Sequence, residues 1–250
     1  MKPPRLLILV CGLAALWHLV VTVTGVPVYI LPGPVTVAKA VFSHAEPLLR
    51  HGATTLVEIL AGLLIGAFFG ATCALTMISS AALKRWMLPV LVISQAIPVF
   101  ALAPILVLWL GYGMASKIAM AVLIIFFPVT AAFYDGMKRT QPELLELARI
   151  MNGRPVAILR LIRIPSALPA AASGLRVATA VAPIGAIVGE WVGASSGLGF
   201  YMLHANARMQ TDRMFAALLL LSALSTTLYF LVDGAMNRMI YWQNKKELKR

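Results

Sequence analysis

Three ionisable side chains, Glu58, Arg176 and Glu190, stand inside or at the end of long apolar runs. A charge at the centre of a bilayer costs about 2.5 to 3.5 kcal/mol on insertion scales, so such groups face protein or a wet cavity. Arg176 can attract an anionic solute or pair with Glu58, and pairing is the expectation. Glu190 precedes Trp191, which sets a carboxylate beside a stacking surface and suits a heteroaromatic ring. The same two residues also read as a headgroup-level acid with an interfacial tryptophan anchor. Gln95, in the third apolar run, is a further polar candidate for a solute pathway. His18, His44, His51 and His204 lack metal or triad spacing, and His204 with Asn206 reads as an outer loop. Cys11 and Cys73 lie in apolar runs without ligand spacing and read as buried, inert thiols, so no metal is expected. No G-x-x-x-x-G-K-[ST] phosphate loop occurs, so the chain does not bind ATP in that way. Ser195-Ser196 with His204 would suit an intramembrane serine nucleophile, but that reading wants a glycine where Ala194 stands.

The elements that must carry these residues follow from composition. Of 250 residues 60% are apolar and 12% charged, and the mean hydropathy is +0.88. A soluble domain is nearer one quarter charged, because its surface faces water. This chain instead keeps most of its surface in lipid or protein. Runs at 6–24, 54–78, 87–110, 118–134, 168–188 and 214–232 approach the roughly 20 residues a spanning helix needs. The first is longer than a signal-peptide core and lacks an A-x-A-like cleavage site, so it reads as an uncleaved span. Gly62, Gly66 and Gly70 share one helix face and admit a close neighbour. Pro98 and Pro104 interrupt the third run, where freed backbone groups need cover from protein or water.

The net charge of +12 raises nucleic-acid binding, but the basic residues sit in short loops, as orientation signals do. Lys2, Arg5, Lys84, Arg85, Lys138, Arg139, Arg149, Arg154, Arg160, Arg163, Arg238, Lys245, Lys246, Lys249 and Arg250 fall on one side. Lys39, Arg50, Lys117, Arg208 and Arg213 fall on the other. The positive-inside rule then places both termini in the cytoplasm, with the bilayer and not nucleic acid as the surrounding partner.

The cytoplasmic connection at 135–167 is patterned. Residues 142–151 predict an amphipathic helix, with Leu144, Leu147, Ala148 and Met151 on one stripe. Glu143 and Glu146 suit its N-terminal dipole and Arg149 its end. Gly153 supplies a stop and Pro155 a restart, and a second helix runs to about Ile162. Pro165 and Pro169 mark a turn back into the membrane. The apolar stripe either lies on the membrane surface or is covered by another protein.

Glu146-Leu147-Ala148, Asn152-Gly153 and Ile162-Arg163-Ile164-Pro165 resemble the EAA loop of ABC importer permeases, E-A-A-x3-G-x9-I-x-L-P. Leu147 and Ile164 replace an alanine and a leucine, and Asn152 stands at the glycine, with Gly153 one place late. That departure bears on the turn geometry. Ile97-Pro98 through Leu106, Leu108 through Gly113, Phe126-Phe127-Pro128, Gly174-Leu175-Arg176, Glu190-Trp191-Val192-Gly193 and Gly197-Leu198-Gly199 look like the nitrate/sulfonate/taurine branch. The Glu190-Trp191 and His204-Ala205-Asn206-Ala207 texture looks most like permeases for thiamine pyrimidine precursors such as hydroxymethylpyrimidine.

The resemblance implies one all-α transmembrane domain over 1–250, six spans of the type I ABC importer fold, in a bacterial inner membrane. It implies a second permease copy, most simply identical, and a binding protein that delivers a small solute from outside. It also implies cytoplasmic ABC ATPase subunits that hold ATP and Mg and dock on Glu143, Glu146, Leu147, Ala148, Asn152, Gly153, Ile162 and Pro165. The chain itself would be a transport subunit without a cofactor. A sulfonate, taurine or nitrate permease is the neighbouring alternative. A secondary transporter, which needs no docking loop, is the other, although no internal repeat supports it.

Overall fold

A computed structural model describes residues 3–240 and 242, and those residues form helices and turns. The order is α1 (Pro3–Thr24), α2 (Pro34–Ser43), α3 (Ala45–Ser79), α4 (Ala81–Ala96), α5 (Val99–Leu110), α6 (Met114–Lys138), α7 (Pro142–Ile150), α8 (Pro155–Ile158), a π-helical turn (Leu159–Arg163), α9 (Ile164–Gly193), α10 (Leu198–Ala207) and α11 (Thr211–Met239). Lys2, Lys245, Lys246, Lys249 and Arg250 lie outside the described residues.

All six apolar runs are helical. Four helices are long and apolar enough to cross a membrane, and α4 with α5 makes a fifth if that bent pair counts as one span. Within α1 the described apolar stretch is Cys11–Thr24. Cys11 is exposed, not buried as its apolar surroundings suggested, whereas Cys73 is buried.

α6 lies between α3 and α9, and small residues allow the approach. A Cβ on Gly62 would fall 2.4 Å from the Ala121 Cβ, and one on Gly66 2.8 Å from Ile125. The glycine face therefore packs on α6. Ile59, Ile125, Ala178 and Ala182 fill the core between the three helices. At one end Val37, Leu48, Leu198 and Ala216 join α2, α3, α10 and α11. At the other, Met77, Phe133, Met137 and Ala167 pack beside the connection that carries α7.

Two expectations about that connection change. No turn occurs at Pro165 or Pro169: residues from Pro155 to Gly193 run as one helical rod. Pro165 lacks an N–H and its ring crowds the carbonyl of Leu161. The π-helical turn just before it, where the Ile164 N–H donates to the Leu159 carbonyl, widens the backbone and relieves that clash. His204 and Asn206 lie in α10 and not in a loop.

Candidate functional site

α7 is the predicted amphipathic helix, ending one residue earlier than its stripe suggested. It buries none of its residues. Leu145 turns inward to a crevice with Ile78, Ile158 and Leu159. Leu144, Leu147, Ile150 and Met151 remain exposed, as do Glu143 and Glu146. Ala148 and Gly153 are half-buried. Ile162 and Pro165 are also half-buried, in the π-helical turn and the start of α9.

The residue that ends α7 is Asn152, not Gly153. Asn152 has φ 55°, the left-handed conformation in which asparagine is the best substitute for glycine. The Gly153 N–H donates back to the Ala148 carbonyl at 2.8 Å, closing the Schellman pattern. A Cβ on Gly153 would lie 2.8 Å from that same oxygen. The Asn-Gly pair thus builds the turn that the shifted glycine had left open.

The third span is broken. α4 ends at Ala96, Ile97 and Pro98 are extended, and α5 departs at 103°. Pro104 sits within α5 without breaking it. The last carbonyls of α4 have no helical donors ahead of them, and Pro98 offers none. Gln95, Ala96, Ile97 and Pro98 are all exposed. Lipid cannot satisfy such backbone, so this face fronts water or protein. Trp191, near the end of α9, is 43% exposed and stands 6.3 Å from Phe100 of α5, centroid to centroid.

The ionisable residues pair differently from the expectation. Glu58 pairs not with Arg176 but with Lys117, at 2.7 Å, and both are buried. Arg176 instead meets Asp233 at 2.6 Å and donates to the Asn237 side-chain oxygen at 2.7 Å. Glu190 is 1% exposed. It accepts hydrogen bonds from the Thr55 hydroxyl at 2.6 Å and from the Gly199 N–H. Its carboxylate is therefore held inside the bundle and not beside an open Trp191 ring. Thr55 in turn accepts from the Leu198 N–H at 2.8 Å. Lys117 donates to the Ser196 carbonyl at 3.2 Å, and the Gly197 N–H donates to His51 Nδ1 at 3.0 Å. Gly197 has φ 120°, and a Cβ there would overlap the Glu190 carboxylate. This knot of α3, α6 and α9 residues holds the 194–197 loop and the start of α10 against the bundle.

Lys117, Thr55 and His51 were not among the sequence candidates. The sequence places Lys117 in an outer loop, one residue before the apolar run that starts at 118. α6 begins at Met114, which draws Lys117 into the bundle. The signal was present: that run fell short of the usual span, and Glu58 needed a cation.

Residues 62–241 match the family model for the binding-protein-dependent transport system inner membrane component. A probable ABC transporter permease protein of Haemophilus influenzae is 55% identical over 94% of this chain and 96% of its own length. The formylaminopyrimidine transport permease protein ThiX of Halalkalibacterium halodurans is 36% identical over 94% of each. A putative aliphatic sulfonates transport permease protein SsuC of Bacillus subtilis is 27% identical over 96% of this chain and 88% of its own. Among solved structures, an inward-facing MetNI methionine ABC transporter chain superposes with TM-score 0.66 at 20% identity, covering 77% of this chain and 95% of that one.

Proposed function

The chain belongs to the binding-protein-dependent transport system inner membrane component family, and on that premise we propose how this ABC importer permease subunit is driven and what it carries. It is a multi-pass inner-membrane transport subunit with the type I importer fold. A cytoplasmic ATPase, which holds ATP and Mg, docks on α7. The observation that carries this reading is the helix itself. α7 exposes Leu144, Leu147, Ile150 and Met151, yet is held rigidly by the Asn152 turn and by Leu145 in its crevice. An apolar stripe on a fixed short helix suits a groove in a partner, and beyond the Asn152-Gly153 turn the chain enters the continuous rod from Pro155 to Gly193. A push on α7 therefore reaches the far end of the bundle without a hinge at Pro165. Glu143 and Glu146 stand on the exposed helix as charge contacts for that partner.

Two identical copies face one another across the broken third span, a binding protein delivers solute from outside, and both termini lie in the cytoplasm. The solute is a small nitrogen heteroaromatic of the thiamine pyrimidine-precursor class. The ThiX relative supports this at 36% identity, against 27% for the sulfonate relative. The test is uptake by cells expressing this chain with its ATPase and binding protein. Labelled hydroxymethylpyrimidine should accumulate in an ATP-dependent way and the ATPase should co-purify. Accumulation of taurine alone would move the substrate to the sulfonate class; absence of ATPase from the purified complex would remove the coupling reading.

A further inference from the structure

Phe100 and Trp191 join two different helices at the break in the third span, with Phe100 more than half exposed and Trp191 a little under half. Other ring pairs with an exposed member, Phe68–Phe69 and Tyr229–Phe230, are sequence neighbours on uninterrupted helices, where lipid is a sufficient neighbour. The surroundings of Phe100 and Trp191 differ. The extended backbone at Ile97 and Pro98 is open, and in a membrane such backbone has to meet water or protein. Gln95, on the opposite flank of the same break, is exposed. An amide offers two donors and an acceptor, the groups that an aminopyrimidine edge complements.

The charges on the page narrow the solute further. The two cations deep within the described spans are already engaged, Lys117 by Glu58 at 2.7 Å and Arg176 by Asp233 at 2.6 Å. Each already has a carboxylate partner, which lowers its pull on a second anion. Glu190, the one acid beside the aromatic pair in sequence, is turned away into the knot that fixes the 194–197 loop and the start of α10. The residues placed at the break, Gln95, Phe100 and Trp191, are themselves uncharged.

We propose that Phe100 and Trp191, with the Gln95 amide, form a stacking subsite for a planar, uncharged nitrogen heteroaromatic ring passing along the break between α4 and α5. The proposal rests on the permease reading above and adds to it the residues that select the solute. Aromatic stacking is sequence-tolerant but demands a flat partner, so the subsite favours rings over aliphatic chains of similar size.

The experiment measures uptake of labelled hydroxymethylpyrimidine and of taurine by the complete importer, at matched membrane abundance and with ATPase co-purification followed in parallel. Wild type should carry the pyrimidine. Phe100→Leu and Trp191→Leu should each lower its maximal uptake about three- to ten-fold while the ATPase still co-purifies. Trp191→Phe should recover most of the rate, because a ring is restored. Gln95→Ala should lower pyrimidine uptake in the same way, and Gln95→Glu should not rescue it. If wild type carries the pyrimidine and the leucine variants carry it equally fast, the subsite is overturned and the permease reading stands. If wild type carries taurine and no pyrimidine, the substrate reading fails together with the subsite. If Trp191→Leu and Trp191→Phe lose uptake alike, the tryptophan acts by packing, which also overturns the proposal.

Discussion

The Lys117 ammonium lies 2.7 Å from the Glu58 carboxylate, linking α6 to α3 where both side chains are buried. Removing one partner leaves an uncompensated charge away from water, which costs about 3–5 kcal/mol. Lys117→Met should therefore sharply reduce membrane abundance and detergent stability. Glu58→Leu combined with Lys117→Met should recover a large part of the loss. Equal abundance of the single variant and wild type would contradict the pairing.

Glu190 gives a second prediction, opposite to the one its neighbour Trp191 suggests. Its carboxylate accepts from the Thr55 hydroxyl and the Gly199 N–H. Glu190→Gln sets an amide donor against one of these donors, and an unsatisfied buried donor costs about 1–3 kcal/mol. The variant should be less abundant and melt earlier in detergent, with half-saturating solute concentration unchanged in the molecules that assemble. Full abundance with altered solute affinity would return Glu190 to the pathway.

How much of this was legible in the sequence depends on the range of the interaction. The apolar helical runs, the α7 stripe and the Gly62–Gly66–Gly70 face are local patterns with a helical period and are readable, whereas the count of six spans exceeds the four or five that the described helices give. The partners of Glu58, Arg176 and Glu190 are not readable in this way. Lys117 is 59 residues from Glu58 and Thr55 is 135 from Glu190, so only the packing of α3, α6 and α9 decides who meets whom. The Pro165 turn failed for a different reason. Proline in sequence suggests a turn, but one π-helical turn absorbs it inside a continuous rod. The shift of glycine from 152 to 153 was visible, whereas its resolution, a left-handed asparagine, is a backbone fact.

The turn after α7 makes a third prediction. Asn152→Gly should leave ATPase co-purification and uptake intact, since glycine takes φ 55° freely. Asn152→Val forces a β-branched residue into the left-handed region at a cost of about 1–2 kcal/mol. It should weaken co-purification without altering membrane insertion. Wild-type behaviour from Asn152→Val would show that the turn does not hold α7 for its partner.

Orientation is tested with single cysteines in a background lacking Cys11 and Cys73. Ser43 ends α2, and Gln210 precedes α11, at the end of the bundle where Val37 and Ala216 pack together. Gln141 precedes α7 near the opposite end. Cysteines at 43 and 210 should react with an impermeant thiol reagent in intact cells, and one at 141 only after permeabilisation. The reverse pattern would place α7 outside, where no ATPase reaches it.

Energy coupling through α7 is the claim on which the rest depends, and two variants address it by separate routes. Glu146→Lys reverses a charge on the exposed helix, and loss of a buried partner contact there costs about 2–5 kcal/mol. Leu147→Asp puts a charge into the apolar stripe, at a position 55% exposed in this chain, so the folded permease itself should tolerate it. The measurement is ATPase co-purification and solute uptake at matched membrane abundance. The account predicts that both variants insert normally and lose both co-purification and uptake. Normal transport by both would mean that α7 is a surface helix with no part in coupling.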